Sequence, residues 1–295
     1  MKKLLMVASA LLLIIGCLLP TNAQADTAID EKLGVPIVVL GANLTDAEKE
    51  SVIKSLKVEE TAEVDKITVD GKDLVKYIKD GNAQARMYSS AKITRQEKGK
   101  GLVINIVTPA NITQVTNEMY ATAMMTAGIE DAIVEVAAPK PVTGHSALVG
   151  IYKAYEVSGE TLDTERTDVA NDELNLATKF AKDSGIDQDK VAELLTEIKK
   201  AIADNNPVTR EEVEKIVNDQ LKKLNIELSE ADRQLLIDLM DRIRKLDIDF
   251  GKLSEQLSDM ATTIREKFGQ LEPGFWDKVI QFFENLFESI KSWFK

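Results

Sequence analysis

One cysteine, Cys17, and one histidine, His145, are all the thiol and imidazole in 295 residues. That scarcity removes disulfide frameworks, zinc sites built from thiolates or several imidazoles, and the usual Ser/His/Asp or Cys/His nucleophilic machinery. Basic side chains are also short, with 37 Lys and Arg against 49 Asp and Glu and a net charge of -12. Phosphate contacts need a cationic surface, so this balance argues against a nucleic-acid partner. Neither a GxGxxG turn nor a Walker loop occurs, and no cofactor is expected. Past Leu19 no apolar run approaches the ~20 residues of a membrane span. What the chain does have is 44% apolar and 29% charged residues, enough to form at least one packed core, and a length that suggests two domains.

The first 25 residues have the layout of an export signal. Lys2 and Lys3 precede an apolar run from Leu4 to Leu19, Pro20 breaks it, and Ala23-Gln24-Ala25 is a small-x-small cleavage site. Cleavage after Ala25 takes the two lysines with it and leaves a chain that is thiol-free and more acidic. The competing reading is lipid attachment at Cys17, against which Leu18 and Leu19 stand where a polar start is expected. A secreted or extracellular location follows, with association to the cell envelope.

Residue usage then divides the chain. All five Tyr lie before residue 156, all eight Phe and both Trp lie after residue 179, and ten of the 15 Gly fall between Asp26 and Glu160. The expected organisation is an α+β domain over 26–156, a linker over 157–169, a helical bundle over 170–271 and an amphipathic helix over 272–295.

In the first half, Val35–Leu40 reads as a strand, and Thr45 with Glu48 forms a capping box opening a helix with Val52, Ile53 and Leu56 on one face. Ala91–Arg95 and Leu102–Val107 flank Lys98-Gly99-Lys100-Gly101, which predicts a hairpin. A helix from about Thr113 to Ala127 stops at Gly128, and Ala132–Val136 is a further strand. Thr143 is expected to cap a helix carrying Leu148, Ile151, Tyr152 and Tyr155. These signals point to a small mixed sheet with helices.

The second half is helical. Val191, Leu194, Leu195, Ile198 and Ile202 share a face; Asn205-Asn206-Pro207 ends it, and Thr209 with Glu212 starts a helix bearing Val213, Ile216, Val217, Leu221 and Leu224. From Leu236 through Leu239, Ile243, Leu246, Phe250, Leu253, Leu257 and Met260 to Ile264, steps of three and four alternate. This heptad seam predicts one long helix between Ser229 and Phe268 unless Gly251 breaks it, covered by the preceding helices or by a second copy in a homodimer.

Pro273 opens a last helix whose apolar residues occupy one arc of about 160°. Trp276, Ile280, Phe283, Phe287, Ile290, Trp293 and Phe294 are its candidate contact residues. Burying such side chains is worth roughly 1.5 to 3 kcal/mol each, so the stripe requires the bundle, a partner's groove or a membrane surface.

Catalytic signals are weak. Gly144-His145-Ser146-Ala147-Leu148 lacks the final Gly of a nucleophile elbow, and the lone imidazole is adjacent to the Ser, where helical neighbours do not face each other. Ser146 and Thr143 are expected to serve a helix N-terminus instead. Asp163, Glu165, Asp168, Asp172 and Glu173 lack the spacing of a calcium loop, as does Asp247-Ile248-Asp249. For a carboxylate-dependent hydrolase, the first residues to consider are Glu118, Glu130, Asp131 and Glu135.

The runs Leu40-Gly41-Ala42-Asn43-Leu44-Thr45, Met119 to Ile129, Val136-Ala137-Ala138-Pro139 and Val142 to Glu156 resemble the domain-of-unknown-function 1002 family of secreted proteins from Gram-positive bacteria. The likeness covers about Leu33 to Glu156 and is looser beyond. It implies export and an extracytoplasmic place of work, and it carries no established reaction or catalytic residue. The segment Pro141–Glu156 makes His145, Tyr152 and Tyr155 a candidate binding surface. The expected function is a non-enzymatic cell-envelope binding or scaffold protein, peripheral on the outer membrane face through its last helix, with an envelope protein, polymer or membrane surface as partner. The alternative is a hydrolase acting on an envelope polymer.

Overall fold

A computed structural model describes residues 33–58, 63–249, 252, 253, 256 and 257. β1 (Ile37–Gly41) is buried along its whole length because helices cover both sides of the sheet. Val38 and Leu40 point to a cluster with Val52 and Leu56, while Ile37 and Val39 point to the main core. The helix on the first side is α1 (Asp46–Ser55), opened by the expected box, with Thr45 capping the Glu48 amide and Glu48 returning to the Thr45 amide. Lys140 lies 2.8 Å from Glu48, and this contact, with the amide bond, holds the Glu48 carboxyl down to about 2.

β2 (Asp65–Val69) pairs parallel to β1 and leads into α2 (Gly71–Tyr77), started by a second box between Asp70 and Asp73. β3 (Ser90–Arg95), β4 (Leu102–Ile106) and β5 (Ala132–Ala137) complete a sheet of order β2-β1-β3-β5-β4. The predicted hairpin does not form. β5 lies between β3 and β4, antiparallel to the first and parallel to the second. Its Val134 and Val136 are fully buried, as suits an interior strand flanked on both edges. The glycine loop crosses its start instead of turning tightly, held there as Asp131 Oδ1 accepts the Gly99 and Gly101 amides at 3.0 and 2.8 Å.

α3 (Asn117–Ala127) is capped by Thr116 and stopped by Gly128, whose φ of 93° is left-handed. α4 (His145–Val157) crosses β1 and β3. Its N-cap is Gly144, without a side-chain cap. The expected roles of Thr143 and Ser146 are therefore corrected: Ser146 Oγ accepts the Ser89 amide at 3.1 Å.

α5 (Thr164–Asp183), α6 (Gln188–Asn205), α7 (Arg210–Lys223) and α8 (Glu230–Ile243) form the helical half. Of the residues expected as linker, 164–169 are already α5, with Thr167 and Val169 buried. α5 packs on α3, α6 and α8, and α6 also packs on α3, so one hydrophobic cluster runs from Ile37 to Leu246. The long heptad helix is also corrected. α8 ends at Ile243, where Lys245 and Leu246 amides bond three residues back. The Asp247 carbonyl is 3.5 Å from the Arg166 guanidinium, and Asp249 caps a new turn through the Lys252 amide. Leu253 and Leu257 then bury beside Met125, so these seam positions are covered within the chain. The leader and the amphipathic segment 272–295 lie outside the described residues. Among the described residues no helix is long and apolar enough to cross a membrane.

Candidate functional site

α5 turns two different faces to its neighbours, and the spacing of its polar residues decides which lies where. Asp168, Asn171, Asp172, Asn175 and Lys179 recur at steps of three and four, which aligns them along one stripe. α8 presents Leu235, Asp238, Leu239 and Arg242 opposite them. Between the two helices lie two adjoining cavities of about 300 and 460 Å³ that share Asp172, Asn175 and Arg242. The smaller is walled by Leu176, Leu235 and Leu239, and Leu235 is 46% exposed. The larger is closed by Ile78, Lys79 and Asp80 after α2.

Arg242 is fixed at the junction. Its Nη1 lies 2.5 Å from Asp172 Oδ2 and its Nη2 lies 3.2 Å from Asp168 Oδ2. Asp168 is itself oriented by the Lys79 amide at 3.0 Å. Along the rim, Lys179 pairs with Asp232 and Arg210 with Asp238. The side-chain amides of Asn171 and Asn175, by contrast, make no hydrogen bond among the described residues. The groove thus combines positioned charge, free amides and an apolar floor, a set suited to binding.

The opposite face of α5 carries a sealed ion pair. Glu173 Oε1 is 2.8 Å from Lys199 Nζ on α6, with side-chain exposures of 1% and 0%. Lys199 also donates to the Thr122 carbonyl at 2.8 Å and to Thr126 Oγ1 at 3.2 Å. Both threonine hydroxyls donate to Glu173, so each charge is paired and hydrogen-bonded as burial requires. Burial pushes the Lys199 ammonium down, and Glu173 opposes that shift. Tyr152 is pushed up by burial and by the charge of Glu173, and its hydroxyl has no hydrogen-bond partner among the described residues. This network locks α3, α5 and α6 together and has no opening to the groove.

The sequence-predicted binding residues separate in space. Tyr152 is fully buried and stacks edge-on with Tyr77 at 5.7 Å, so it supplies core and no surface. His145 is half-buried, 3.3 Å from Thr178 Oγ1, and burial lowers its pKa. Tyr155 is half-buried with the Arg95 guanidinium over its ring. Trp276, Ile280, Phe283, Phe287, Ile290, Trp293 and Phe294 lie outside the described residues.

The flagged carboxylates serve the fold. Glu130 pairs with Lys252 and Glu135 with Lys92, while Asp131 holds the glycine loop. Asp163 caps α5. Among the described residues no group of three His, Cys, Asp or Glu side chains is placed to hold a metal ion.

Asn171, Asn175, Arg242 and Lys199 were not singled out by the sequence. The first three sit among other polar residues and look like a solvated face. Lys199 did carry a signal, because it interrupts the apolar face made by Leu195, Ile198 and Ile202.

Comparison with known proteins adds relationship without chemistry. The profile of a family described as "Protein of unknown function (DUF1002)" matches residues 40–260. The "Uncharacterized protein YpuA" of Bacillus subtilis (strain 168) is 37% identical over 305 residues, covering 100% of both chains. No solved structure matches.

Proposed function

We propose, from the premise that the chain belongs to the DUF1002 family, that it is an extracytoplasmic binding protein that takes a component of the cell envelope into the groove between α5 and α8. The observation that carries this reading is the junction at Arg242, held by two aspartates beside two unengaged asparagine amides and an apolar cavity. The ion pairs give Arg242 a defined position, while the two amides are open to a ligand's own donors and acceptors. The export signal read in the first 25 residues supports the location. The apolar stripe over 272–295 supports a peripheral hold on the outer membrane face. A hydrolytic role lacks comparable support, since Asp168 and Asp172 are both engaged by Arg242 and thus unlike a shielded general acid.

The test is co-sedimentation of the purified mature chain with cell envelopes stripped of lipid by detergent, so that the apolar stripe has no membrane to hold, comparing wild type, Asn171→Ala/Asn175→Ala and Arg242→Ala. The expected result is that each groove variant lowers the bound fraction at least fivefold while retaining its circular dichroism spectrum. Equal sedimentation of all three proteins would overturn the groove as the binding site.

A further inference from the structure

We propose that the α5–α8 groove takes an extended segment of polypeptide, whose backbone is read by the side-chain amides of Asn171 and Asn175. This rests on the binding reading above and names the class of ligand. An asparagine amide offers an acceptor and a donor side by side, which is the complement of the N–H and C=O that one residue of an extended chain turns to the same side. Asn171 and Asn175 are one helical turn apart on one face of α5, where such positions stand about 5–6 Å from each other. In an extended chain, residues whose N–H and C=O point the same way recur every two positions, about 6.5–7 Å. A chain lying slightly oblique to α5 therefore presents two matching groups to the two amides.

The walls add side-chain preference. From Asp168 to Lys179 the groove follows α5 for about 16 Å, room for roughly five extended residues. An apolar side chain fits against Leu176, Leu235 and Leu239 beside Asn175. Charge favours a basic neighbour: Arg242 is neutralised by Asp168 and Asp172, Lys179 by Asp232, and Asp80 in the larger cavity makes no ion pair among the described residues. The whole chain carries a net charge of -12, which further disfavours an acidic segment.

The experiment screens the purified mature chain, with its C-terminal segment intact, against bead-bound decapeptides carrying lysine, leucine, threonine or valine at every position. Soluble oligomers of N-acetylglucosamine and an aspartate-for-lysine peptide library run in parallel. Enrichment of lysine- and leucine-bearing beads, reduced at least tenfold by Asn171→Ala/Asn175→Ala and by N-methylation of alternate amides in a resynthesised hit, is the expected result. The double variant must keep the wild-type unfolding midpoint, and Asn171→Leu/Asn175→Leu, which keeps the side-chain size and removes the amides, serves as a second variant where it does not. Binding of the sugar oligomers alone, lost in the same variants, would overturn the polypeptide assignment and leave the groove as a binding site. No enrichment from any library, together with unchanged envelope sedimentation of the variants, would overturn both. Peptide binding that survives N-methylation would overturn the backbone reading.

Discussion

Lys199 Nζ lies 2.8 Å from Glu173 Oε1 with both side chains closed to water, so α5 and α6 are joined through a charge pair inside the core. Removing one member strands the other, which typically costs about 3–5 kcal/mol. Lys199→Met and Glu173→Gln are each expected to lower the unfolding free energy, measured by urea titration, by an amount in that range. The double variant should lose less than the sum of the two, because neither charge is then left unpaired. Additive losses in equilibrium unfolding would contradict the pairing.

His145 gives the chain a defined response to mild acid. Burial lowers its pKa from the ordinary 6.5, so the unfolded chain takes up a proton first as the pH falls. Folding stability is therefore complete above about pH 6.5 and declines as the pH drops toward the lowered folded value. As the only histidine in 295 residues, it is the side chain expected to dominate between about pH 7 and 5. Unfolding midpoints measured across that interval should slope downward in wild type and flatten in His145→Asn. An equal slope in both proteins would remove His145 as the cause.

Gly144 is held by space and by backbone angle together. Its φ is +105°, and a Cβ there would stand 2.8 Å from Tyr120 Oη and 2.9 Å from Ile112 Cγ2. The Tyr120 hydroxyl also donates to the Gly144 carbonyl at 2.6 Å. Gly144→Ala combines left-handed backbone strain with that clash, and a loss of about 1–3 kcal/mol is expected. Thermal unfolding measures it, with Gly159→Ala as the comparison, since that glycine shares a positive φ but has open space around it.

Local signals were the readable ones. Thr45 with Glu48, Thr209 with Glu212 and Gly128 mark helix ends through short-range hydrogen bonds and backbone angle. β2 and α2 went unread because Asp65–Val69 is a mostly exposed edge strand and α2 has only seven residues. The hairpin reading failed for a different reason: β3 and β4 are near in sequence, but both prefer β5, and that preference is a long-range packing fact. The heptad rhythm continued past Ile243 while the chain did not, since a hydrophobic period is blind to the Asp249 cap and to Arg166. Asn171 and Asn175 were invisible because their meaning comes from α8, which faces them only once the chain has folded.

The placement of β5 also constrains how the sheet is completed. A chain emerging from its amino end has β3 and β4 in hand before the strand that belongs between them exists. In the folded sheet they do not touch, because Ala132–Ala137 occupies the place between them. β5 is the last of the five strands to be made, and since β3 and β4 meet only through it, their mutual register is set when it takes its place.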